Sequence, residues 1–180
     1  MATFQSLWYR LVVLLFAIFL TVIWFAGGPA GRSYALMVTL GTCILEPTLA
    51  ADVMGRVSRQ WLRVPAGERA LHRIAGVGAF HWLLDVSGWN RLIHPMRGFS
   101  GKRDSLLSLE QSAQAGVIGH GICFAIHLLL APLALWSGYP GSAALWLLWP
   151  AVVVHLYPVL LQRSILLRIQ PLLDQLMPAS

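Results

Sequence analysis

Apolar residues in this chain are gathered into four blocks, at 11–26, 34–50, 115–136 and 143–161, instead of alternating with polar ones as on elements with one wet face. A helix needs about 20 such residues to cross the roughly 30 Å of bilayer hydrocarbon. The pattern therefore predicts an all-α fold, a polytopic membrane protein with about four transmembrane helices forming a single membrane domain over 1–180. Trp8 and Tyr9 before the first block and Trp24 near its end match the aromatic belt of a spanning helix. Gly27, Gly28 and Pro29 follow it in place of a small-x-small cleavage site, so the block reads as a retained anchor. The second block is interrupted by Glu46 and Pro47, and proline lacks the amide that continues a helix.

Between the second and third blocks, 51–114 carries nine of the thirteen basic residues: Arg56, Arg59, Arg63, Arg69, Arg73, Arg91, Arg97, Lys102 and Arg103. It cannot span as a whole. Basic residues stay on the cytoplasmic side, so this loop and both termini are expected there, in a bacterial-type inner (cytoplasmic) membrane. Within the loop, 74–93 (IAGVGAFHWLLDVSGWNRLI) is moderately apolar and tryptophan-bearing, which suits an interfacial or re-entrant segment better than a fifth span. Arg163 and Arg168, among leucines and isoleucines at helical spacing, place the tail after Gln162 along the membrane surface.

Composition agrees with this picture: 57% of residues are hydrophobic and 11% charged, which a water-soluble fold could not cover. The net charge of +6, concentrated in connections, points to membrane lipid or another anionic ligand. No nucleic acid is expected, because the loop lacks a recognisable binding module. Cys43 and Cys123 lie within apolar runs and read as buried small hydrophobes, not as a disulfide pair.

Ionisable residues inside spans are costly and mark function by default. Four qualify: Glu46, His120, His127 and His155. At 1.5 Å rise per residue, His120 and His155 fall roughly 8 and 10 Å from the cytoplasmic ends of neighbouring antiparallel spans, so their rings can face one another. His127 and Cys123 share the His120 face. That stripe suits either a metal or haem site, or a histidine bonded across the bundle to a hydroxyl or carbonyl. Glu46 can pair with Arg56, Arg59 or Arg163, or orient a histidine. Glu110 is expected to be a solvated helix-start residue. The turn RGFSGKR offers Arg97, Lys102 and Arg103 with glycines that let backbone amides approach phosphate.

The stretch HLYPVLLQRSILLR, from His155 to Arg168, contributes Tyr157, Pro158, Gln162, Arg163 and Arg168 to a family pattern that Trp89, Lys102, Arg103 and His120 extend upstream. From Phe80 onward, about half the chain, the sequence resembles the glycosyl-4,4'-diaponeurosporenoate acyltransferase family, membrane enzymes that esterify a glycosylated carotenoid with a fatty acyl chain. The family carries asparagine where His155 stands, and glutamates near Ser112 and Val117, where the only nearby carboxylate here is Glu110; acyl transfer by this chain then needs another group, such as Glu46, or is absent. The resemblance implies transfer of a fatty acyl group from an acyl thioester to a hydroxyl of a lipid or glycosylated, carotenoid-like acceptor. In that reaction His120 is the general base and His155 or Arg163 stabilises the oxyanion. Arg97, Lys102 and Arg103 hold the phosphates of acyl-CoA or the acidic surface of an acyl carrier protein, with no tightly bound cofactor. A second reading is a non-catalytic small subunit of a larger photosynthetic or respiratory membrane complex, contacting pigment, lipid or haem through its eight tryptophans.

Overall fold

The computed structural model describes residues 2–176, without the side chains of 2–6, 8 and 9, so the rings of Trp8 and Tyr9 lie outside the described residues. Helices α1 (Ala2–Gly27), α2 (Arg32–Met54), α6 (Leu106–Trp136) and α7 (Gly141–Ala151) with its continuation are long and apolar enough to cross a membrane. Between α2 and α6 come α3 (Glu68–Ile74), α4 (Val77–Val86) and α5 (Trp89–Ile93), with single 3-10 turns around them. A π turn, Val152–Leu156, joins α7 to α8 (Tyr157–Leu176) without a break. No strand occurs among the described residues.

The packing falls into two compact units, one of residues 1–52 and 119–156, the other of 53–118 and 157–180. The first has a core of small residues, Ala35, Ala131, Ala134, Ala143 and Ala144, around Leu20, Tyr34, Val38 and Leu147. Small side chains let helix backbones approach where no hydrophobic effect drives them together. Its outer faces are apolar, with Phe25 83%, Ile44 77% and Trp136 89% exposed, the inverse of a water-soluble surface. The chain is an integral membrane protein. One end of this unit is aromatic. Trp24 meets Tyr34 and Tyr139 edge-on at 5.6 and 5.9 Å, and the Arg32 guanidinium lies 4.5 Å from the Trp146 ring centroid. Gly28 ends α1 in the left-handed conformation (φ 70°), and a Cβ there would stand 2.9 Å from the Tyr139 ring.

Three boundaries differ from the sequence expectation. α2 runs through Pro47 to Met54, because in apolar surroundings no water competes for the remaining helical hydrogen bonds. α6 begins at Leu106, not at 115, because Glu110 and Gln114 face protein while Ser108 and Gln111 keep the wet side. Glu110 is 5% exposed and takes a two-point bond from Arg59, whose Nε donates at 3.0 Å, so it is a buried ion-pair partner and not a solvated helix start. The tail after Gln162 is no separate surface helix: α7, the π turn and α8 form one run from Gly141 to Leu176. The π turn lies where Pro150 and Pro158 each remove an amide donor.

In the second unit, 74–93 is broken by Gly76 (φ 68°) and Gly88 (φ 78°) into short helices. The ten residues of α4 rise only about 15 Å, half a bilayer, so no fifth span forms. Trp82, Leu83, Val86 and Trp89 remain exposed. The core here joins Leu106, Leu109 and Ala113 of α6 to Leu166, Ile169 and Leu173 of α8, with Val64. Arginine forks hold the intervening segment. Besides Arg59–Glu110, Arg63 donates to both oxygens of Asp174 at 3.1 and 2.7 Å, and Arg163 Nε donates to Glu68 at 2.8 Å, with a second bond through Nη2.

The Arg163 hydrogen bond holds the Glu68 carboxyl below the usual carboxylate range. Burial pushes the His72 imidazole down, and nearby Glu68 only partly offsets this. Both groups therefore bind protons less readily folded than unfolded. Their contribution to stability is complete above the unfolded values, roughly 4.3 and 6.5, and is lost as pH falls through the folded ones. The unfolding midpoint in detergent is expected to drop between about pH 7 and about pH 4. Glu68→Gln should flatten the part of that drop below about pH 5. A midpoint constant over this range would contradict both assignments.

Candidate active site

Four polar side chains converge within the first unit, at the end away from the aromatic cluster. Glu46 lies twelve positions, about 18 Å, along α2 from Tyr34. One turn before it, Thr42 shares its face. Opposite them, His120 comes from α6 and His155 from the π turn. Glu46 Oε1 stands 3.5 Å from His120 Nε2, His120 Nδ1 stands 3.4 Å from His155 Nδ1, and His155 Nε2 stands 3.0 Å from Thr42 Oγ1. The two imidazoles that helix depth placed opposite one another do meet.

The row has an open end and a closed end. Thr42 and His155 are fully buried, whereas the side chains of Glu46 and His120 keep 20% and 18% of their exposure. Thr42 Oγ1 also lies 2.8 and 2.9 Å from the carbonyls of Val38 and Thr39, so its single proton has three acceptors. When that proton points to His155 Nε2, His155 Nδ1–H donates to His120, and His120 Nε2–H donates to Glu46. When it points to a carbonyl, His155 Nε2–H donates to Thr42 Oγ1, His120 Nδ1–H donates to His155 Nδ1, and His120 Nε2 carries a lone pair beside Glu46. The row thus fixes which ring nitrogen of each histidine carries the proton, and it ends at Thr42, whose other neighbours are carbonyl acceptors.

Gly119 makes room for this approach. A Cβ at that position would lie 2.6 Å from Glu46 Cγ and 3.1 Å from its carbonyl oxygen, so a larger residue would push the carboxylate away from the histidine beside it. Cys123 is buried as expected and reaches the Thr42 carbonyl at 3.4 Å, whereas Cys43 is only half-buried; both are free thiols. His127 is fully buried, with Nδ1 2.9 Å from the Leu147 carbonyl, the bond across the bundle that is the plainer of its two sequence readings. Among the described residues no group of three or more His, Cys, Asp or Glu is placed to hold a metal ion.

The remaining sequence candidates belong to the second unit. Arg163 is engaged by Glu68, and Arg59 by Glu110, so neither is the partner of Glu46, which stands beside His120 instead. Arg97 is half-buried and donates to Asn90 Oδ1 at 3.1 Å. Lys102 and Arg103 are exposed just after the turn that Gly98 and Gly101 bound. Thr42 and Gly119 escaped the sequence reading. The signal for Thr42 is its four-residue spacing from Glu46, and for Gly119 its place beside His120.

A family model described as glycosyl-4,4'-diaponeurosporenoate acyltransferase matches residues 57–175. The chain belongs to this family. The match takes in His120, His155, Arg163 and the turn at 97–103, and starts well before Phe80. No curated protein and no solved structure matches the chain. Thr42 and Glu46 precede the matched segment, so half of the polar row lies outside the family pattern. From outside that segment, α2 brings Glu46 to the His120 imidazole.

Removing the Thr42 hydroxyl leaves a buried ring nitrogen without its partner. Thr42→Val is expected to cost about 1–3 kcal/mol of stability in detergent unfolding, with Thr42→Ser restoring most of it. Equal stability of wild type and Thr42→Val would show that the hydroxyl does not hold His155.

Proposed function

We propose that the chain is a membrane-embedded acyltransferase that moves a fatty acyl group from an acyl thioester to a hydroxyl of a glycosylated, carotenoid-like acceptor. The observation that carries this reading is the carboxylate beside His120, with His155 and Thr42 behind it, in a chain of this family. The acceptor hydroxyl attacks the thioester carbonyl while His120 Nε2 takes its proton. The new C–O bond forms, the C–S bond breaks, and the proton returns from His120 to the leaving thiolate. Glu46 balances the imidazolium that forms in between. His155, wholly buried and bonded at both nitrogens, suits a positioning role and not the oxyanion contact expected of it. Arg163, engaged by Glu68, suits that contact no better.

The donor is acyl-CoA or an acyl carrier protein, and the exposed charges of Lys102 and Arg103 would attract it. Such donors are cytoplasmic, which agrees with both termini and the basic segment facing the cytoplasm of a bacterial-type inner membrane. The test is esterification of a glycosylated carotenoid acid by a labelled acyl thioester, followed by mass spectrometry in membranes containing the chain. His120→Ala is expected to lower turnover by about 10²–10⁴-fold with normal membrane insertion, and Glu46→Gln by less. Full turnover by His120→Ala would remove the assigned base.

A further inference from the structure

The second unit contains a cavity of about 450 Å³ whose wall is unusually basic. Arg69 and Arg73 come from α3, Gly78 and His81 from α4, and Arg168 from α8, while His72 closes the inner side. Arg69 and Arg73 are one turn apart on a seven-residue helix, a like-charge spacing that costs stability when nothing compensates it. Among the described residues no carboxylate lies within ion-pair distance of Arg69, Arg73 or Arg168. The nearest acids are engaged elsewhere: Glu68 holds Arg163, and Asp85 accepts from Asn90 and lies 3.1 Å from His81 Nδ1. His72 lies beneath this wall. His72 is 6% exposed, and its Nε2 is buried with no hydrogen-bond partner, Glu68 Oε2 being 3.7 Å away.

We propose that this cavity is a binding site for a phosphate ester, held by Arg69, Arg73 and Arg168. Three guanidinium forks match the several acceptor oxygens of a phosphate far better than they match a neutral hydroxyl. Two molecules bring that group to this protein: the nucleotide end of a coenzyme A donor, and the headgroup of an anionic lipid. The exposed Trp82, Leu83 and Ile74 on the same helices would leave an amphiphile's tail on apolar surface. The coenzyme source rests on the acyl-transfer reading above; the phosphate site itself does not.

The test is binding to the purified full chain in nanodiscs of phosphatidylcholine, by calorimetry, with coenzyme A and dioctanoyl phosphatidic acid as separate probes. At least one should bind, and the double variant Arg69→Gln with Arg168→Gln should weaken it about 10- to 100-fold. Gly78→Leu should weaken it without altering charge: a Cβ there meets nothing within 4 Å, so the fold accepts the residue while the side chain fills the cavity. Loss of coenzyme A binding identifies the donor as the source, and loss of phosphatidic acid binding identifies the lipid. No binding of either probe, or binding that both variants leave unchanged, overturns the proposal. Binding without any acyl transfer would sink the enzymatic reading alone, and turnover without binding would sink the cavity alone.

Discussion

Hydrocarbon offers no hydrogen bonds, and that constraint shapes everything polar in the first unit. Each donor or acceptor turned inward must find its partner on a neighbouring helix or leave a costly vacancy. Thr42 turns its hydroxyl back on its own helix and toward His155, His155 turns to His120, His120 to Glu46, and His127 to a backbone carbonyl. The outer faces carry leucine, isoleucine, phenylalanine and tryptophan, so the polar row is insulated except at its Glu46 and His120 end. A reaction confined to that end would proceed with water largely kept away, where electrostatic contacts are stronger than in bulk solvent.

The second unit solves a different problem. Its segment between α2 and α6 has short helices, left-handed glycines and little core of its own, yet it is drawn onto α6 and α8 by arginine forks. Surface ion pairs generally contribute little, but Glu110 is buried and its bond with Arg59 is bidentate, the geometry in which such pairs are specific. Charge first explained by topology alone thus has structural work in several residues. Arg59, Arg63 and Arg163 are spent on holding the unit together, which sets apart the arginines that are not.

The spans were legible because a block of apolar residues has few alternatives. Helix ends were not: Glu110 and Gln114 look like residues in water until Arg59, 51 positions earlier than Glu110, is seen beside it. The facing of His120 and His155 was legible, since depth along two antiparallel helices is simple arithmetic. Thr42 was not, because a threonine in an apolar helix usually bonds its own backbone, as this one also does. Gly119 is silent for a related reason: its importance is a missing atom, visible only once another helix is brought against it.

Glu46 and Thr42 sit on a helix that lies wholly before the segment shared with the family. A protein can therefore carry the whole matched segment, the histidine at His120 included, and still lack the groups that charge and orient it. Kinship in the last two thirds of such a chain speaks for the scaffold; whether the chemistry comes with it is written in the helix that the signature omits.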